Sequence, residues 1–226
     1  MEHLPRYIAL LFAFTSLLTL GIFYKASHYS RTTLIVLLVW MALQFIIGRS
    51  GFYTVTNSFP PRFVLMVFPP LLVIVALFVS KKGRAYVDAL DIKSLTLLHT
   101  VRIFVELVLY LLCVHKVVPQ LMTFEGRNFD ILSGLSAPVI YYFAFVRKSL
   151  GKRTLVIWNL VCVALLLTIV FNAVFSAPFP FQKFALEQPN IAVLYAPFNW
   201  LPAFVVPLAL LSHLAAFKQL LSRSTS

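Results

Sequence analysis

Charge is what this chain has least of. Only 12% of its residues are charged, against about 25% in a typical soluble domain, while 61% are hydrophobic and the mean hydropathy is +0.91. That deficit excludes a water-soluble globule and leaves lipid as the solvent. Acidic side chains are scarcer still: there are seven in 226 residues, and only Glu106 lies well inside an apolar run. A metal-dependent hydrolase or transferase needs more carboxylates than these can bring together. There is also no His-Glu-x-x-His, no Gly-x-Ser-x-Gly, no Walker loop and no paired Asp motif. No catalytic motif is found, so the reading leans away from an enzyme, and the cofactor is left unknown; a metal-free acid–base reaction using Glu106 and His99 stays open. Room is short too. At about 20 apolar residues per crossing, about six to eight spans use up the chain and leave no soluble catalytic or nucleic-acid-binding domain.

What the chain does have is apolar runs. Seven candidate spans follow, at 7–24, 32–47, 63–79, 92–118, 134–146, 154–176 and 191–217, the fifth short unless it extends back toward Asp130. Short connections between them argue for antiparallel neighbours in one bundle, so residues 1–226 read as a single transmembrane helical domain. The N-terminal stretch carries one Arg before its apolar run and no small-residue cleavage site, which reads as a retained helix.

The basic residues orient the bundle. Twelve of them (Lys25, Arg31, Lys81, Lys82, Arg84, Lys93, Arg147, Lys148, Lys152, Arg153, Lys218 and Arg223) fall on one side of the alternating loops and six on the other, with Arg102 inside a span. Cytoplasmic loops hold the excess of Lys and Arg, which places the N-terminus outside and the C-terminus in the cytoplasm. The net charge of +12 then faces anionic lipid headgroups rather than nucleic acid. A bacterial-type cytoplasmic (inner) membrane is the expected location. In this frame Cys113 lies in the outer half and Cys162 in the inner half, too far apart to bridge.

Polar residues inside the spans are the candidate site. In the fourth segment His99, Arg102, Glu106, Tyr110 and Cys113 recur at intervals of three, four, four and three, which puts them on one stripe of a helix. Charged groups in hydrocarbon cost about 2.5–3.5 kcal/mol each, so the stripe must face the bundle interior or a wet cavity. Arg102 and Glu106, one turn apart, can neutralise each other and fix helix packing. The same residues can instead form a site for an anionic or protonatable ligand, with Arg102 as the clamp and Glu106 or His99 carrying a proton. Gln44 and Glu106 come near mid-membrane, while Asn159 and His213 come near the level of His99. His99 and His213 are the one pair that could ligate a metal or haem, without a third ligand to complete the set.

The outward loops are longer and mix aromatics, prolines and both signs of charge. In FEGRNFD, Glu125, Arg127 and Asp130 could contact a partner, or the segment is a polar turn in which Asn128 or Asp130 caps the next helix. Pro69 and Pro70 should kink the third span, and Pro197, Pro202 and Pro207 the seventh, where Asn199 sits in the outer half. Topology invites comparison with rhodopsins and G-protein-coupled receptors, but the seventh span has no central lysine, and Asp-Arg-Tyr and Asn-Pro-x-x-Tyr are missing. The expectation is a seven-helix, all-α, multi-pass bundle that binds a small ligand, or passes a solute or proton, at His99, Arg102, Glu106, Tyr110, Gln44 and Asn199. Its alternative is a non-catalytic subunit that docks a partner protein through the polar stripe and outer loops.

Overall fold

The computed structural model describes residues 3–222, and among them every regular element is helical, with no strand. In chain order the α-helices are α1 (Arg6–Ala26), α2 (Arg31–Arg49), α3 (Val64–Val79), α4 (Lys81–Ala89), α5 (Ile92–Leu98), α6 (Val101–Val114), α7 (Ile131–Tyr141), α8 (Lys152–Ser176) and α9 (Val206–Ser222). Arg223, counted above among the basic residues, lies outside the described residues.

Five helical segments are long and apolar enough to cross a membrane: α1, α2, Ile92–Val114, α8 and Leu201–Ser222. A sixth is reached if α3 and α4, bent by 95°, count as one span. The surface is built for lipid, because Ile35, Val39, Ile46, Leu72, Val161 and Leu167 are exposed while Gln44, Arg102, Glu106, Asn159 and His213 are buried.

The bend between α3 and α4 has a local cause. The apolar run of α3 ends at Ser80, whose extended backbone breaks the helix and whose Oγ accepts from the Gly83 amide at 3.0 Å, capping α4. A Cβ on Gly83 would lie 2.5 Å from the Leu77 Cα, so only glycine lets α4 fold back onto the end of α3. Lys81, Lys82 and Arg84 then lie on the exposed face of α4, with Val87 buried beneath. Pro69 and Pro70 fall inside α3 without interrupting it, so the sharp turn comes further on than the prolines suggested.

The fourth span tightens where its polar stripe begins. Around His99 and Thr100 the backbone switches to three-residue spacing, with Thr100 donating to Leu97, Arg102 to His99 and Ile103 to Thr100. α7 starts against this point: a Cβ on Gly134 would be 2.9 Å from the Ile103 nitrogen, so glycine permits the close approach. α7 closes in a π-helical turn, Tyr142–Val146, and a second one, Leu201–Val205, opens the last span next to Pro202.

The segment between α6 and α7 does not simply cap the bundle. Met122, Thr123, Asn128 and Asp130 are buried, and Asn128 reaches Glu106, eight residues or about 12 Å below Val114 at the top of α6. The chain thus folds back down along α6 before α7 begins. Non-helical backbone at that depth survives because it is enclosed in protein, with the Asn128 and Gly126 amides both bonded to Thr123 O.

Candidate functional site

Arg102 holds the centre of the polar stripe, and its partner is not its helix neighbour. Its Nη1 donates to Asp130 Oδ1 at 2.6 Å, forming a buried ion pair, and to the Cys162 carbonyl at 3.4 Å. The expected Arg102–Glu106 pair is therefore corrected: twenty-eight positions away, at the start of α7, a residue assigned to an outer loop supplies the counter-charge. Asp130 stands at the N-cap position of α7 but makes no side-chain cap bond; its carboxylate turns inward and also accepts from Ser133 Oγ at 3.3 Å. Glu125 and Arg127, from the same loop, stay exposed.

The other side of the guanidinium meets α9. Arg102 Nη2 lies 3.0 Å from His213 Nε2, and since a guanidinium can only donate, this imidazole nitrogen is the acceptor. The proton then sits on Nδ1, which donates to Asn159 Oδ1 at 2.8 Å, and Asn159 in turn donates to the Leu155 carbonyl at 2.9 Å. His99 stacks on His213 with ring centroids 3.8 Å apart, and the Trp158 ring lies edge-on to both. Both nitrogens of His213 are thus engaged and the two rings lie parallel, so they do not converge on a metal. Among the described residues no group of three or more His, Cys, Asp or Glu is arranged to hold one.

Glu106, one turn along α6, belongs to a second arrangement. Its Oε1 accepts from Asn128 Nδ2, and Asn128 is itself fixed, donating to the Met122 carbonyl at 3.0 Å and accepting from the Asp130 amide at 3.0 Å. Oε2 of Glu106 has no partner, although the residue is only 1% exposed. A buried carboxyl oxygen left unpaired is costly, so its retention calls for an explanation.

Glu106 lines a partly open apolar cavity of about 130 Å³ between α3, α6, α8 and the start of the last span. Val105 and Leu109 of α6, Leu166, Ile169 and Ala173 of α8 and Met66 of α3 form its walls, with Glu106, Asp130 and Asn190 the polar residues among them. Asn190 is fully buried and neither atom of its carboxamide is bonded, while its backbone amide is tied to the Ser176 carbonyl at 2.8 Å. At its loop end Phe63 and Phe179 line the cavity and pack on each other, with ring centroids 4.6 Å apart.

The remaining predicted residues lie elsewhere. Gln44 accepts from the Tyr53 hydroxyl at 2.7 Å in the turn after α2, and its backbone carbonyl accepts from Asn199 Nδ2 at 2.6 Å, which ties α2 to the entrance of the last span rather than to the α6 site. Burial pushes the Tyr53 hydroxyl up to about 12, against the opposing bond to Gln44, and keeps it a donor. Gly48 lacks the Cβ that would collide with Asn199 at 2.7 Å. Tyr110 is half-buried and stacks on Phe124. Cys113 and Cys162 are both free thiols. Asn128 as a support for Glu106, and Asn190 as a cavity residue, were missed: both sit in loops, where no helical spacing marks them.

An all-helical bundle with several membrane-length spans, enclosing an ion pair and an apolar cavity with an unpaired carboxyl, is the class that the fold and site define. Residues 59–221 match the family model described as "domain of unknown function (DUF8737)", more than two thirds of the chain, and the protein belongs to that family. The matched stretch contains α3 to α9 save the final residue of α9, and with them Arg102, Glu106, Asn128, Asp130, Asn190 and His213. No curated protein and no solved structure matches the chain.

Proposed function

We propose that this is a seven-span protein of a cytoplasmic membrane, one transmembrane domain over residues 1–226 with its N-terminus outside, and that it binds a small ligand at Glu106. The seven crossings take α3 as the third span and α7, with the chain that folds back before it, as the fifth. α4 then lies at the cytoplasmic surface, its lysines among the headgroups. Two parts of the polar stripe have different tasks in this reading. The Arg102, Asp130, His213 and Asn159 chain is bonded within the protein, save for the unpaired Arg102 Nε, and holds α6, α7, α8 and α9 in register. Glu106 is the group kept for a ligand.

The observation that carries the reading is the unpaired Oε2 of a buried Glu106 at the wall of an apolar cavity. A purely structural carboxyl would be expected to find two partners or be replaced by an apolar residue. The test is retention of a small molecule through purification in mild detergent, followed by solvent extraction and mass analysis. Wild-type protein should carry close to one molecule per chain, and Glu106→Leu should fold and carry none. Equal extracts from the two proteins would contradict the reading. Co-purification of a partner protein lost on changing exposed Arg127 would favour the docking subunit in its place.

A further inference from the structure

We infer that the ligand is a lipid-like amphiphile with an uncharged or cationic hydrogen-bond-donating head, a long-chain alcohol or amine, seated with its head on Glu106 Oε2 and its chain between α3 and α8. The inference rests on the ligand-site reading above and adds the chemistry of the ligand.

The head follows from the polar atoms on offer. Among the residues that line the cavity, Glu106 Oε2 and Asn190 Oδ1 are unpaired acceptors and Asn190 Nδ2 is the unpaired donor; Arg102, whose Nε is also unpaired, does not line it. The cation nearest these groups, Arg102, is already committed to Asp130, to His213 and to the Cys162 carbonyl. A carboxylate or phosphate head would meet Glu106 and Asp130 with no free cation to offset them, and an ammonium or hydroxyl would supply the missing donor. Asn128, bonded on both sides of its carboxamide, holds Glu106 in place, so the acceptor is aimed before a ligand arrives.

The chain follows from the walls. Aliphatic side chains of three helices dominate the lining, a surface that favours hydrocarbon over water. The cavity volume is close to that of engineered apolar cavities that take up benzene, so it holds the first few carbons of a chain. The rest has a way out: the cavity is partly open, α3 and α8 both line it without close approach of their backbones, and Phe68, Leu72, Leu167 and Phe171 are exposed on these two helices. The cavity therefore lies behind a seam in the lipid-facing surface, which suits entry from the bilayer.

The test uses full-length protein in lipid nanodiscs and a photoactivatable twelve-carbon alcohol carrying a diazirine near its tail. Labelling should map to peptides containing Met66 or Ala173 and should saturate. Dodecan-1-ol and dodecylamine should compete, while dodecane and dodecanoate should not. Glu106→Gln, which keeps the shape of the side chain, should weaken competition by the amine about tenfold, and Asn190→Leu should weaken the alcohol. Ala173→Trp should abolish labelling, with Val170→Phe as the milder obstruction should the Trp variant not fold. Competition by butylamine equal to that by dodecylamine, together with sensitivity to Glu106→Gln, would overturn the amphiphile and leave a small-ligand site standing. Labelling that no compound displaces and that Glu106→Gln does not change would overturn both.

Discussion

At the scale of single residues, the buried ion pair makes a sharp distinction between two carboxyls that lie near one arginine. Arg102→Leu leaves the Asp130 carboxylate without its counter-ion inside the bundle and should cost about 3–5 kcal/mol, read as a large fall in Tm in detergent. The double variant Arg102→Leu with Asp130→Leu should recover most of that loss, whereas Arg102→Leu with Glu106→Leu should not. Recovery with Glu106 and not with Asp130 would put the pair back on one helix. The spacing of Arg102 and Glu106 made their pairing the natural expectation, since residues three and four apart are the neighbours that local helical spacing reveals. Asp130 was invisible in that role because its approach depends on the chain folding back along α6, a long-range event with no local signature. The common level of His99, Asn159 and His213 was legible, because depth in a helix is a simple count of rises.

At the scale of elements, two short features set the turns before and after α4, and each can be removed alone. Gly83→Ala brings a Cβ to 2.5 Å from the Leu77 backbone and should cost about 1–3 kcal/mol by forcing α4 off the end of α3. An unchanged Tm would mean that the 95° bend does not depend on glycine. Asp91 caps α5, accepting from Ser94 Oγ at 2.7 Å and from the Ser94 and Lys93 amides at 3.0 and 3.4 Å. Burial pushes its carboxyl up, but these hydrogen bonds and the Lys93 charge prevail and hold it below the ordinary range. A depressed folded value means that the stabilising term is complete above the ordinary aspartate value of about 4 and is lost as the pH falls through the lower folded one. Asp91→Ala should cost about 0.5–2 kcal/mol at neutral pH and nothing at pH 2, so a loss that persists at pH 2 would contradict the cap. The existence of most helices was readable from apolar runs. The surface helix α4 was not, because nine residues with three cations carry too little apolar signal to separate from a loop.

At the scale of the whole molecule, helix length is the quantity that matters. Ile131–Val146 is shorter than the membrane-length helices, so the proposed fifth crossing depends on the folded-back segment before it. Cysteine labelling on a background without Cys113 and Cys162 tests this. Gly151→Cys, in open space, should react from the cytoplasm, and Glu125→Cys, on an exposed loop, from outside. Reaction of both from one side would remove a crossing and with it the seven-span proposal. The loop charges supply the orientation that the proposal uses, whereas the cavity has no counterpart in the sequence, because residues far apart along the chain come together to line it. The most direct test of the site is the Tm of Glu106→Leu after the protein has been stripped of bound lipid. A carboxyl kept for a ligand at the expense of the fold predicts a Tm equal to or above that of wild type, since the change removes an unpaired buried oxygen and adds apolar contact. A fall as large as that of Arg102→Leu would show that Glu106 is there for the fold, and would contradict the ligand site.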